Sequence, residues 1–288
     1  MMAMKDLNEL RALISLVDEP DVVMYAQVSR RIIDYGVEAL PELEAAWENT
    51  LDDFLQQRLI SIIHDIQQEH LYSELSNWGK FGNNDLLKGF MLVTRFQYPD
   101  LDLEKVTREV GRIAQEVWLE LNNNLTALEK VKVVNHVLFD INKFGGNTSN
   151  IHTSENFYLK NLLDNRKGNS LSLGMLYVMI AQSLKIPVYG VDLPKHFILA
   201  YVDEHHHEPE EEVLFYLNPF NKGAVFTRNE INLYIKQMNL EPSESYFKPC
   251  TNLTMIRRMV NGLIDAYNSQ NNTEKAAELQ HLLTSLDF

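Results

Sequence analysis

Apolar positions recur with helical spacing through the first 75 residues. Val22, Val23, Ala26, Ile32 and Ile33 share one side of a helix that Asp21 can cap, and Gly36 suits a left-handed exit. Pro41 sits where a first helical turn tolerates it, opening a helix over Leu40 to Trp47. Thr50 with Asp53 has the spacing of a capping box ahead of Leu55, Leu59, Ile62, Ile63 and Ile66. Short helices joined by tight turns predict an antiparallel stack of helix pairs.

The middle of the chain changes character. Helical spacing covers roughly 84–97, 103–122 and 127–143, the last opened by Thr126 with Glu129 and stopped by Gly145-Gly146. A polar stretch follows, and then an apolar helix from Ser170 in which Met175 and Met179 read as core. After Pro187 the period switches to short runs of β-branched and aromatic residues. Val188 to Val191, Phe197 to Val202, Val213 to Leu217 and Ala224 to Phe226 read as strands, with a solvated loop over Glu204 to Glu212. From Thr227, with Glu230 as another capping-box partner, the chain is helical again, closing on a pair at Met255 to Tyr267 and Thr273 to Leu286. Helices first and strands afterwards predict a predominantly helical α+β fold with a small antiparallel sheet. The boundaries fall at 1–75, 76–225 and 226–288.

Charge and cysteine content narrow the function. Twenty-six Lys and Arg against 40 Asp and Glu leave a formal charge of −14 with no basic patch, so nucleic acid is not an expected partner. Cys250 is the single cysteine, which excludes an internal disulfide and a Cys-rich zinc site. Lys5, Asp6 and Glu9 interrupt any apolar leader, and the longest apolar run, Leu171 to Leu184, is too short to cross a bilayer. A cytoplasmic protein without membrane contact is the expectation. His205-His206-His207 stands among many Glu and reads as a solvated loop tip, so neither metal nor cofactor is expected.

The most informative stretch is Arg166-Lys167-Gly168-Asn169-Ser170-Leu171-Ser172-Leu173-Gly174-Met175-Leu176-Tyr177. It delivers a polar side chain, Ser170, onto the first turn of a buried helix, where unpaired N–H groups and a partial positive charge would activate a thiol. A serine in that place is ordinarily a cap. Asn169 and Ser172 flank it as candidate binding residues. Downstream, His196 starts one strand and Asn218 ends the next, so adjacent antiparallel strands can bring them side by side. A nucleophile on a helix tip, a histidine on one strand and an orienting group on the next is a geometry for acyl transfer. Asp192 and Asp203 are alternative orienting groups.

Together the three segments resemble the SirB-type branch of the transglutaminase-like superfamily. Its pattern is Lys-Gly-Asn-(Cys/Pro/Ser)-x-Ser-Leu-x-x-Leu-Tyr, then Gly-Val-x-x-Pro-x-His-Phe, then (Asp/Asn)-Pro-Phe-Asn-x-Gly. Lys167 to Tyr177, Gly190 to Phe197 and Asn218 to Gly223 supply it in order. The first helices are similar to HEAT-type units, and Ala266-Tyr267 with Glu274-Lys275-Ala276-Ala277 resembles half of a tetratricopeptide unit. The resemblance implies a papain-like core with Ser170 at the catalytic-cysteine position, His196 at the histidine position and Asn218 at the orienting-acid position.

The departures carry their own expectation. A hydroxyl is not ionised at neutral pH, and Asn218 would orient a ring without balancing its charge. In the serine-protease triad, replacing the orienting aspartate by asparagine lowers the rate about 10⁴-fold. The resemblance therefore implies a degenerate site in a protein-binding or regulatory module, with a protein partner met through the helical regions. The alternative is a slow serine-based hydrolase or acyltransferase using Ser170, His196 and Asn218. Cys250 follows the site in the chain and reads as a small buried apolar side chain.

Overall fold

The structure is a computed structural model and describes residues 7–151, 153–203 and 213–287. The expected loop at Glu204 to Glu212, including His205 to His207, lies outside the described residues. The chain divides into two compact units, one up to Glu74 and one from Leu75.

The first unit contains α1 (Leu7–Ile14), α2 (Val22–Ile33), α3 (Leu40–Asn49) and most of α4 (Asp53–Asn77). Asp21 caps α2 through the Val23 and Met24 amides, and Pro41 stands in the first turn of α3. One continuous core joins Leu10, Ile32, Leu43, Leu59 and Ile62. Two expectations shift. Asp52, not Thr50, caps α4 by accepting from the Phe54 and Leu55 amides, because it stands directly before the first helical residue, Asp53, where its carboxylate meets the N2 and N3 donors. Gly36 is left-handed at φ +64°, but it opens a short 3₁₀ turn instead of ending α2.

The second unit is helical around a small sheet. It begins with a π-helical turn at Trp78–Gly82, then α5 (Leu86–Arg95), α6 (Leu103–Glu120) and α7 (Ala127–Asn135). The helix expected to run to 143 loosens into a π-helical turn at His136–Ile141. Gly145-Gly146 does not simply stop it. Those residues form β1 (Gly145–Gly146), which pairs in parallel with β2 (Lys167–Gly168). Within the stretch read as polar lies α8 (Leu159–Asn165), which turns Leu159, Leu162 and Leu163 inward.

Next comes α9 (Ser170–Ser183), buried from Leu171 to Ala181 with no polar face, as befits a helix enclosed on all sides. The sheet is a meander of β3 (Val188–Val191), β4 (Ile198–Val202), β5 (Val213–Asn218) and β6 (Ala224–Phe226), all antiparallel. Helices α10 (Arg228–Gln237), α11 (Asn252–Ser269) and α12 (Thr273–Thr284) complete the unit. The sheet packs against α9 through β3 and β4, and α11 meets α9 as well. The predominantly helical α+β fold with a four-stranded antiparallel sheet is thus present. Among the described residues, no helix is long and apolar enough to cross a membrane.

Candidate functional site

The site is assembled where α9 meets the sheet. Asn169 caps α9 by accepting the Ser172 amide at 2.8 Å, and the Ser172 hydroxyl accepts the Asn169 amide in return at 3.1 Å. This reciprocal pair fixes the first turn and leaves Ser170, its next residue, half-buried at the helix tip. Ser172 itself is fully buried. The Ser170 hydroxyl accepts a hydrogen bond from the Phe197 amide at 3.2 Å, which ties the helix tip to the residue after His196.

Phe197 is held by two glycines. A Cβ on Gly174 of α9 would lie 2.7 Å from its ring, and one on Gly190 of β3 would lie 2.5 Å from it. The bare backbone at both positions lets the ring fill the space between helix and sheet. Its amide then has one place to be, against Ser170.

His196 sits in the turn two residues ahead of β4, not at the start of the strand. Lys195 before it takes a left-handed conformation at φ +64°, a strain of about 1 kcal/mol for a non-glycine residue. That turn aims the imidazole across to the next strand. The Leu199↔Leu217 register, continued by one residue, sets Asn218 opposite Ile198, and Nε2 of His196 meets Oδ1 of Asn218 at 3.1 Å. The same oxygen accepts the Asn221 amide at 3.1 Å. A backbone donor identifies that atom as the oxygen, so Nε2 carries the proton and Nδ1 the lone pair.

Electrostatically the site is quiet. Burial pushes the His196 pKa below its ordinary value, and the Arg258 guanidinium pushes the same way against the hydrogen bond that the ring donates to Asn218. Arg258, on α11, is anchored by an ion pair with Asp192 and stands 5.5 Å from the Phe197 ring centroid. Asp192, considered as an orienting group, is thereby directed to Arg258. Burial and Asp192 push the Cys250 thiol up to about 12, and its amide donates to the Gly190 carbonyl at 2.7 Å. Cys250 lies just before α11, outside any helix.

Two depressions hold the candidate residues. Ser170 and Asn169 line a cleft of about 570 Å³ whose opposite wall is one face of α11, including Arg258, Asn261 and Asp265. Lys195 lines it too, while His196 and Asn218 line a separate hollow of about 260 Å³. Neither Lys195 nor the α11 wall was singled out in the sequence. The signal available was the polar spacing of Arg258, Asn261 and Asp265 around Gly262 on one helix face. A larger groove of about 1000 Å³ between α6 and α8 contains none of the candidate residues; there Arg112 and Arg166 hold the Glu109 carboxyl down to about 2. Among the described residues, no group of three or more His, Cys, Asp or Glu is placed to hold a metal ion.

Comparison with known proteins gives this arrangement its class. Residues 104–261 match the family described as the transglutaminase-like superfamily, and the chain belongs to it. A UPF0162 protein of Xylella fastidiosa (strain 9a5c) is 25% identical over 198 residues, covering 67% of this chain and 68% of that protein. A UPF0162 protein of Buchnera aphidicola subsp. Acyrthosiphon pisum is 24% identical over 211 residues, 72% and 76% of the two chains. Mouse F-box only protein 21 is 30% identical over 137 residues, which is 46% of this chain and 20% of that protein. No solved structure matches the chain.

Proposed function

We propose that this chain is a transglutaminase-like protein of the SirB type that has given up thiol catalysis and serves as a cytoplasmic protein-binding or regulatory module. One observation carries the reading: the set formed by Ser170, His196 and Asn218 is built entirely of neutral groups. The hydroxyl already accepts a hydrogen bond from Phe197, and the imidazole faces a carboxamide. Acyl transfer from a serine requires an imidazolium in passing, and burial together with Arg258 opposes that charge here. The HEAT-like first helices and the tetratricopeptide-like α11–α12 pair are the surfaces we assign to a protein partner, in preference to nucleic acid. Purified protein is expected to turn over neither amide nor ester substrates. Turnover that disappears in Ser170→Ala would overturn the reading.

A second reading is favoured by one feature, the lone pair on Nδ1 of an uncharged His196, which is the form a general base needs. It is a slow serine hydrolase or acyltransferase. Labelling of Ser170 by a fluorophosphonate probe, lost in His196→Ala, would establish it in place of the first.

A further inference from the structure

We propose that one end of the first helical unit docks a basic amphipathic helix of a partner protein, its apolar stripe seated on Leu16, Val22, Leu51 and Phe54 and its lysines or arginines on the carboxylates around them. The inference rests on the protein-binding reading and names the chemistry of the partner. Arg58 of α4 gathers this end into one surface. Its Nη1 donates to the carbonyls of Val17 at 2.8 Å and Glu19 at 2.6 Å, and its guanidinium carbon lies 4.0 Å from the Tyr25 ring centroid and 4.2 Å from that of Phe54. The turn after α1, the start of α2 and the start of α4 are thereby drawn together. Leu51 is 97% exposed, Val22 73%, Phe54 54% and Leu16 45%. Val22 stands one helical turn before Tyr25, and so on its side of α2. Single exposed apolar side chains are ordinary, whereas several gathered at one end of a small unit mark an interaction surface.

Charge names the occupant. Asp18, Glu19, Asp21, Asp52 and Asp53 stand at the same end, and the cation among them is Arg58, already held between two rings and two carbonyls. Asp21 and Asp52 cap α2 and α4 through Oδ1 alone, which leaves the second oxygen of each for a ligand. The other arginines of the unit are committed or placed elsewhere. Arg11 is held by both oxygens of Glu42, Arg31 pairs with Glu9, and Arg30 lies in the last turn of α2. Residues 7–74 contain no lysine. A rim of carboxylates with its one cation already engaged selects a basic partner. The same rim repels a second copy of this face, a phosphate backbone and an anionic lipid surface. A helix whose apolar stripe is flanked by lysines or arginines presents the complementary pattern, apolar centre to apolar centre and cation to carboxylate.

The test is fluorescence anisotropy of two labelled peptides on the full chain, one made of two repeats of Leu-Lys-Lys-Leu-Leu-Lys-Leu and the other with glutamate in place of each lysine. The lysine peptide should bind, more weakly as salt rises, and the glutamate peptide should not. Asp18→Lys should weaken binding of the lysine peptide about tenfold, and Leu51→Ser about fivefold. Glu274→Lys, the same charge change on α12 in the second unit, should alter it less than about twofold. Asp18 and Leu51 are exposed and lie outside any helix, and thermal unfolding of each variant verifies the fold. No binding of the lysine peptide, equal binding of the glutamate peptide, equal losses in Asp18→Lys and Glu274→Lys, or full affinity in Leu51→Ser would overturn the proposal. An ester-hydrolysis assay on the same preparation keeps the readings apart. Turnover lost in Ser170→Ala would refute the non-catalytic reading and leave the binding result standing, whereas neither turnover nor peptide binding would overturn this surface and leave the neutral site as described.

Discussion

The tip of α9 and the segment around Cys250 hold the two side chains on which a nucleophile could be built, and their surroundings are opposite. Ser170 stands at a helix N-terminus in an open cleft, and its hydrogen-bond partner Phe197 adjoins His196, whose ring lines a separate hollow. Cys250 has the sulfur, half-buried beside another hollow just ahead of α11. Burial and the nearby Asp192 carboxylate push it to about 12. The helix tip and the thiol stand apart in this chain.

The sharpest way to probe that separation is Ser170→Cys. At neutral pH the introduced thiol should react with iodoacetamide about a thousandfold faster than Cys250, since an ordinary thiol near 8.5 and one near 12 differ by about that factor in thiolate. Equal rates at both cysteines, read by mass spectrometry, would mean that the tip of α9 suppresses a thiol as strongly as the surroundings of Cys250 do.

Next in size is the seat of Phe197. Gly174→Ala or Gly190→Ala should destabilise the protein by about 1–3 kcal/mol in urea titrations, because the added methyl overlaps the ring. Either change should also slow alkylation in the Ser170→Cys background, because the Phe197 amide is what holds the tip of α9 to the turn. Lost stability with unchanged alkylation would detach the ring from the site.

The smallest effect is on pH. Because the His196 pKa is lowered on folding, its neutral form stabilises the fold fully above its ordinary value of 6.5, and that contribution is lost as pH falls through the lower folded value. Arg258, Asn218 and the Tyr234 and Phe220 rings are the groups facing it. Urea midpoints should fall between pH 7.5 and 5.5 more for the native chain than for His196→Gln. Identical falls would show that the imidazole is not kept neutral.

What could be read from the sequence follows from how local each signal is. The strands announced themselves by composition, and Thr126 with Glu129 and Thr227 with Glu230 made their capping boxes at the expected places. The core of the superfamily was legible because its residues cluster in three short segments. Cap identity at α4 was not, since Thr50 and Asp52 both have cap chemistry and reach decides between them. The helix α8 hid in a polar stretch because a helix of seven residues shows too few apolar positions to set a period. The cleft was invisible for a different reason. Its far wall comes from α11, and nothing near Arg258 in the chain says that it lies across from Ser170.

One ring ties the shape of the site to the fold itself. With Phe197 wedged between Gly174 and Gly190, the outline of the cavity is a by-product of the chain folding at all. That geometry cannot drift without cost to the fold. Selection for stability alone is enough to keep that space in repair.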